Sequence, residues 1–590
     1  MGTGDEEKSP PEPPPVIFIH RIDTYFGKVL AQQLGTNQPN ATTSDVPDSG
    51  ANFKGLTFLD APGAPDCFQI IGSYRLPKIP DDSLIPKLDR SPPPPKVPAA
   101  RELFSVDSEE ELLKALDRAK IHIYHTADED GENELFSDVE KALTAAKAHL
   151  LANKNKKTVF LVSPLMTWCK TRVKVPKLKP KDGEKEEEEE QVEDEPQPLT
   201  EEEAKRRKPH TKFKAHLDME KDLLKFAKNS HRRISATVVG AGLTYGYGER
   251  ILRWYFKDAW HNAPVLTVLG DGKNQVPMIH VRDLAQVLQN MCDSKPKTRY
   301  IIAIDAGIHT YQELVTGIAK QLTGGTVINI PPETLVVEKK VSQIDSELLT
   351  ADLLFEARTI LETMKIQWTA EEGFLKALPK VIREYKTLQN LTPIKVAIIG
   401  PPFSGKTTMA MKLADYYKLH YVSAENIVKD TEVKLAVKLR PVVASPAITV
   451  VKVPTTEISE TEDDEKPAKS VKIPANESED ANDDGDQIGI QAAKKLLAEM
   501  QDSRNENNGH LGEAMIVRLL REKLLSKACL NQGYVLDGAP ASYNMAKELF
   551  APVELEEEEE KEEESRENEE DIDNEMPPTD KKLVPGNVNN

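Results

Sequence analysis

"VAIIGPPFSGKTTMAMKLADYY", from Val396 to Tyr417, is the stretch that decides how the rest of the chain is read. An apolar run of strand length enters Gly400, four residues separate it from Gly405, Lys406 and Thr407, and a helical pattern follows. This is G-x-x-x-x-G-K-[ST] with a strand before it and a helix after it, the context in which the motif carries a mechanism. The glycines let backbone N–H groups fold around phosphate oxygens, and the helix start adds positive potential. Lys406 supplies a point charge, and Thr407 can ligate magnesium. The expected phosphate cradle is Gly400, Pro401, Pro402, Phe403, Ser404, Gly405, Lys406, Thr407 and Thr408. Asp537 closes the apolar strand "YVLD" and is placed like the second-strand carboxylate that holds Mg2+ through water in such folds.

Outward from that loop, 590 residues exceed one hydrophobic core and give a prior of roughly two to four domains. The formal charge of -20 excludes a phosphate-backbone surface built on Lys/Arg stripes, so no nucleic-acid partner is expected. Cys67, Cys169, Cys292 and Cys529 are scattered without a CxxC pair, which indicates neither a disulfide framework nor a zinc site. The start "MGTGDEEKSPPEPPP" lacks an apolar core, and no apolar run reaches about 18 residues, so a cytoplasmic chain without a membrane partner is expected. Glu6 stands where a myristoylation signal at Gly2 wants Ser or Thr.

The order of strand and helix patterns predicts an α/β protein. "PVIFIH" reads as a strand, "FGKVLAQQLG" as the helix after it, and "CFQIIGSY" as a further strand, with "DRSPPPPKVPAA" as an extended linker. Helical "EELLKALDRAK", strand "IHIYHT", helical "SDVEKALTAAKAHLLAN" and strand "KTVFLVS" continue the rhythm of a parallel sheet with crossover helices. Helical "HLDMEKDLLKFAKN" leads to "SATVVGAG", and "VRDLAQVLQNMCD" leads to "RYIIAIDAG", each a helix before a strand. The Glu-rich stretch 179–198 and the Pro/Ser/Thr/Glu-rich stretch 441–490 lose all periodicity and read as solvated insertions. "IQAAKKLLAEMQ" and "LGEAMIVRLLREKLLSKA" read as helices before the Asp537 strand.

Lys395 to about Phe550 resembles the adenylate kinase family. "GPPFSGKTTMAMKLADYY" stands where that family has its P-loop and first helix, and "NQGYVLDGAPASYNMA" is similar to its strand and Asp-Gly-Phe-Pro-Arg turn. The resemblance implies ATP and Mg2+ as ligands, AMP as acceptor, Lys406 and Asp537 in catalysis, Thr407 and Asp537 on the metal, and Lys429 and Gly538 at a weak monophosphate site. The acceptor half departs from the family. Ala541 replaces a phosphate-binding Arg or Lys, Met545 replaces the Gln that reads adenine, and Lys429 replaces an arginine fork by a point charge. Family members continue with an arginine-bearing lid and two more strands, and nothing after Phe550 reads that way, so the P-loop strand is expected to keep an open edge.

Residues 16 to about 330 resemble the extended short-chain dehydrogenase and nucleotide-sugar epimerase family, through "GDGKNQVPMIHVRDLAQVL", "VVGAGLTYGYGE" and "YIIAIDAGIHTYQEL". A Rossmann-like fold is the implication. In "IFIHRIDTYFGK" only Gly27 survives of a three-glycine fingerprint, with Arg21 and Thr24 at the other two positions. The family's Tyr-x-x-x-Lys aligns with "LDMEK", which keeps Lys221 but has Leu217 for the acid, while Ser163 stands near the family's serine. NAD(P) binding is therefore not expected. The expected organisation is a head at 1–15, a degenerate Rossmann/epimerase-like domain at 16–375, a helical linker at 376–392, an incomplete P-loop kinase domain at 393–550 and an acidic tail at 551–590. Together the two domains resemble the branch of adenylate kinases associated with motile cilia and flagella, which implies an axonemal location and ciliary protein partners. The competing expectation is a structural axonemal subunit with degenerate enzyme domains that still binds ATP.

Overall fold

A computed structural model describes residues 15–36, 67–76, 94–126, 134–152, 155–172, 197–294, 296–323, 325–337, 341–438, 483–507 and 509–551. The proline-rich head up to 14, nearly all of the acidic insertion, residues 439–482 and the tail from 552 lie outside them. The chain divides into two compact units. The first is Met1–Ile394 with Lys527–Gly533, and the second is Lys395–Ser526 with Tyr534–Asn590.

The first unit holds β1 (Val16–Ile19), β2 (Gln69–Tyr74), β3 (Ala100–Ser105), β4 (Ile121–His125), β5 (Lys157–Pro164), β6 (Ile234–Ala241), β7 (Leu243–Tyr245), β8 (Leu266–Leu269), β9 (Met278–His280), β10 (Tyr300–Ala303) and β11 (Val327–Ile330). Seven of these form one parallel sheet in the order β3-β2-β1-β4-β5-β6-β10. Parallel neighbours need crossovers, and helices Tyr25–Thr36, Glu109–Arg118, Glu134–Ala152 and Lys214–Asn229 supply them. Successive side chains point to opposite faces, so Phe18 packs with Tyr124, Leu161 and Val238 on one side. Ile17 and Ile19 pack with Ile123, Phe160 and Val162 on the other, under Phe26, Val29 and Leu30 of the first helix. Both faces are covered, which is why these strands read as continuous apolar runs. The strand order reverses between β1 and β4, and a doubly wound sheet of this kind places its ligand crevice at that switch.

Four expectations change here. Ala100–Ser105, inside and beyond the supposed linker, is the edge strand β3. An edge strand buries little, so its Arg101 and Glu102 masked the pattern. Residues 376–392 are no free linker, because helix Phe374–Leu388 buries Phe374, Leu378, Val381, Ile382 and Tyr385 in a third core cluster with Tyr255, Phe256, Leu314 and Ile318. Helix Asp483–Glu506 begins inside the stretch 441–490 read as insertion. Finally, 393–550 is not one contiguous domain. Lys527–Gly533 belongs to the first unit, where helix Lys527–Gln532 packs on helix Tyr311–Leu322 and Asn531 donates to the Gln321 carbonyl at 3.2 Å.

The second unit is built on β12 (Ile394–Ile398), β13 (His420–Ser423) and β14 (Gly533–Asp537), in the order β12-β14-β13. The P-loop helix, Lys406–Tyr417, turns Ala410 and Ala414 onto Val535 and Leu419. β12 has β14 on one side and, among the described residues, no strand on the other.

Candidate nucleotide site

β12 delivers Gly400 to the carboxyl edge of the sheet, and the loop that follows turns straight into the P-loop helix. Gly405 caps that helix with φ +82°, a left-handed conformation that glycine adopts freely. Phe403 is also left-handed, at φ +62°, and its ring is fully exposed at the apex of the loop. Ser404 Oγ donates to the Pro401 carbonyl at 2.9 Å, and Lys406 Nζ donates to the same carbonyl at 2.7 Å. The ammonium is thus folded back over the loop it would share with a phosphate. The first N–H groups of any helix lack intrahelical acceptors, so those of Lys406, Thr407 and Thr408 face the same opening.

Asp537 ends β14, the strand beside β12, and Gly538 N–H donates to the Ile398 carbonyl at 3.0 Å. The carboxylate therefore sits at the same sheet edge as the start of the loop. It is 8% exposed. Oδ2 accepts a hydrogen bond from the Tyr421 hydroxyl at 2.8 Å, whereas Oδ1 is buried with no protein partner. A buried carboxylate oxygen without a donor is costly unless a ligand completes it, and a metal-bound water fits that position chemically. Nothing in the sequence near Tyr421 marks this contact, which joins residues 116 apart.

The acceptor residues are arranged differently. Gly538 turns at φ +71° with open space where a side chain would stand. Lys429 lies exposed on helix Ala424–Lys438 and pairs with Glu425 of the same helix at 2.6 Å. Ala541 N–H donates to Met545 Sδ, and Met545 is buried under the short helix Tyr543–Leu549, whose start Ser542 caps. The turn that carries a cation and a base-reading amide in the resembled family here closes on its own thioether.

In the first unit, the turn after β1 at the β1/β4 switch carries paired charge. Arg21 takes the left-handed conformation, φ +53°, at the first fingerprint position. Its guanidinium donates to Asp138 Oδ2 at 2.7 Å and to Asp23, while Arg75 grips the other Asp138 oxygen. Thr24 Oγ1 donates to the Arg21 carbonyl and also meets His125 Nε2. Behind them, burial pushes the His20 ring down to about 3, and it shares a hydrogen bond with Ser73 Oγ. Gly27 alone keeps its old task. A Cβ there would stand 2.6 Å from the Arg21 carbonyl oxygen, so Gly27 lets the first turn of the helix pack closely on the turn after β1.

The positions of the resembled catalytic triad are likewise rebuilt. Leu217 is buried, Lys221 is exposed, and Ser163 is buried on β5. Nearby, Glu220 pairs with Arg207 in full burial, and Arg207 lies 4.2 Å over the Tyr300 ring, whose hydroxyl accepts from Trp168 Nε1. Beyond the ends of β5 and β6 a cavity of about 30 Å3 is left, with Leu165, Met166, Leu243 and Leu353 among its walls. That holds about one or two waters. Among the described residues no group of three or more His, Cys, Asp or Glu is arranged for a metal ion, and no helix is long and apolar enough to cross a membrane. None of the four cysteines, all among the described residues, is in a disulfide.

No family profile matches the chain. It is 36% identical over 416 residues to adenylate kinase 7 of Mus musculus, covering 70% of this chain and 60% of that protein. It is 35% identical over 370 residues to adenylate kinase 7 of Macaca fascicularis, covering 62% of each. The chain thus spans about three fifths of the length of the curated relatives it matches. Among solved structures, UDP-glucose 4-epimerase of Thermotoga maritima is similar over 63% of this chain and 99% of its own, with 14% identity and a TM-score of 0.40. A dTDP-glucose 4,6-dehydratase of Streptomyces venezuelae matches over 63% and 98%, with 11% identity and a TM-score of 0.42.

Proposed function

We propose that this adenylate kinase 7-like chain binds MgATP at the loop Gly400 to Thr408 and serves the phosphoryl transfer of its lineage, from ATP to AMP, in motile cilia or flagella. One observation carries the nucleotide reading: a glycine-bounded cradle and a buried carboxylate with an unbonded oxygen share one sheet edge. Loop N–H groups and Lys406 would hold the donor phosphates, with Lys406 exchanging the Pro401 carbonyl for a phosphate oxygen. Thr407 and Asp537 would hold the metal, Asp537 through water, and Gly538 with Lys429 would face the monophosphate. Mg2+, when bound, neutralises charge on the β- and γ-phosphates. At the β1/β4 switch, by contrast, Arg21 and Arg75 are paired with Asp138.

A second reading rests on the acceptor turn, where Ala541 and the buried Met545 replace polar contacts. In that reading the chain is a structural ciliary subunit that binds ATP without passing its phosphate on. ADP formation from ATP, AMP and Mg2+, with Lys406→Ala as control, separates the two. Transfer predicts turnover that the substitution lowers by roughly 100-fold or more. MgATP binding without turnover establishes the second reading, and incorporation of Lys406→Ala into an axoneme then tests whether nucleotide matters to assembly. Absence of MgATP binding overturns both.

A further inference from the structure

We infer that Tyr421 is a positioning residue for the metal carboxylate, fixing which oxygen of Asp537 is offered to Mg2+. The inference rests on the nucleotide reading above and deepens it. β13 and β14 run parallel with Tyr421 opposite Val535 and Ser423 opposite Asp537, so Tyr421 and Asp537 are diagonal neighbours on adjacent strands. At that separation a long aromatic side chain reaches its diagonal partner. The Tyr421 ring packs on the cluster of Ala410, Ala414, Leu419 and Val535, which holds it between the P-loop helix and β14. That packing aims the hydroxyl. It donates to Asp537 Oδ2 at 2.8 Å and leaves Oδ1, buried and without a protein donor, as the free acceptor.

The chemistry follows from counting donors. A carboxylate with both oxygens free can rotate between ways of meeting a metal-bound water, and each alternative lowers the population of the competent one. A phenol locked to one oxygen removes that freedom. Partners of this outer kind change metal affinity by about 10- to 100-fold.

The test uses the full chain and a fluorescent ATP analogue, titrated with Mg2+ and, separately, in excess chelator. Tyr421→Phe keeps the ring and loses only the donor. The expected result is an increase of about 10-fold in the Mg2+ concentration for half-maximal enhancement of binding, with metal-free affinity unchanged. In an Asp537→Asn background the same substitution should add nothing. Equal shifts with and without metal would mean that Tyr421 only supports the fold there, and an unchanged Mg2+ profile would mean that the hydroxyl is irrelevant. Either overturns the inference while leaving the nucleotide reading intact. A wild-type chain that binds no nucleotide in any condition overturns both, and is told apart because it fails before any substitution is made.

Discussion

Two strand–loop–helix turns in this chain occupy the same kind of place, the carboxyl edge of a parallel sheet, and they have been treated in opposite ways. At the end of β1 the turn is occupied by paired charge, with Arg21 and Arg75 both held by Asp138. At the end of β12 the loop is exposed, and the neighbouring carboxylate keeps an oxygen that nothing in the protein satisfies. The glycines separate along the same line. Gly27 is retained where backbone packs on backbone, while the two fingerprint positions that would admit a pyrophosphate carry Arg21 and Thr24. Gly400 and Gly405 remain where backbone must approach a phosphate. The packing glycine is thus kept where the glycines that would admit a phosphate are gone, and both phosphate-loop glycines are kept where the loop is open.

The sharpest way to break that contrast is at buried charge. Glu220→Ala strands Arg207 in the first unit and should cost about 3 to 5 kcal/mol in thermal or denaturant unfolding of that unit. Asp537→Asn in the second unit keeps an oxygen that can accept from the Tyr421 hydroxyl and removes a buried charge whose Oδ1 has no protein donor, so it should cost at most about 1 kcal/mol. Similar losses from both would mean that Asp537 is structural and the contrast false.

Next comes pH. Burial, reinforced by the nearby Glu384, pushes the Glu249 carboxyl from 4.5 up to about 8. The folded chain then holds a proton that the unfolded chain releases, so this group's contribution is fully present below pH 4.5 and is lost as pH rises towards about 8. Unfolding of the first unit followed between about pH 5 and about pH 8 should show a loss on the order of 3 kcal/mol from this group. Glu249→Gln, which can still accept from Gly246 N–H, should flatten that slope. A slope that survives the substitution assigns the dependence elsewhere.

The packing glycine gives a further test. Gly27→Ala puts a methyl against the Arg21 carbonyl, and the strain should destabilise the first unit by about 1 to 3 kcal/mol without touching nucleotide affinity. No loss would show that the close approach is slack.

The parallel sheet was legible because strands buried on both faces leave unbroken apolar runs, and the loop from Gly400 to Thr408 because its spacing is a mechanism written in order. Legibility ended where burial was partial or the partner distant. β3, at the sheet edge, shows little more than Leu103 and Phe104 among polar residues. Helix Phe374–Leu388 does carry a periodic apolar stripe, yet its position beside the P-loop unit invited reading it as a connector. The hydrogen bond from Tyr421 to Asp537 spans 116 residues, and nothing local to either side chain announces the other.

The placement of Lys527–Gly533 in the first unit bears on inheritance and on engineering. The path of the chain enters the second unit at Lys395, leaves it at Lys527 and re-enters at Tyr534. Neither unit is one uninterrupted length of coding sequence. A recombination event or an expression clone that cuts at residue 395 carries away a helix whose apolar neighbours stay behind on Tyr311–Leu322. The second unit is thus poorly suited to being traded between proteins as a cassette.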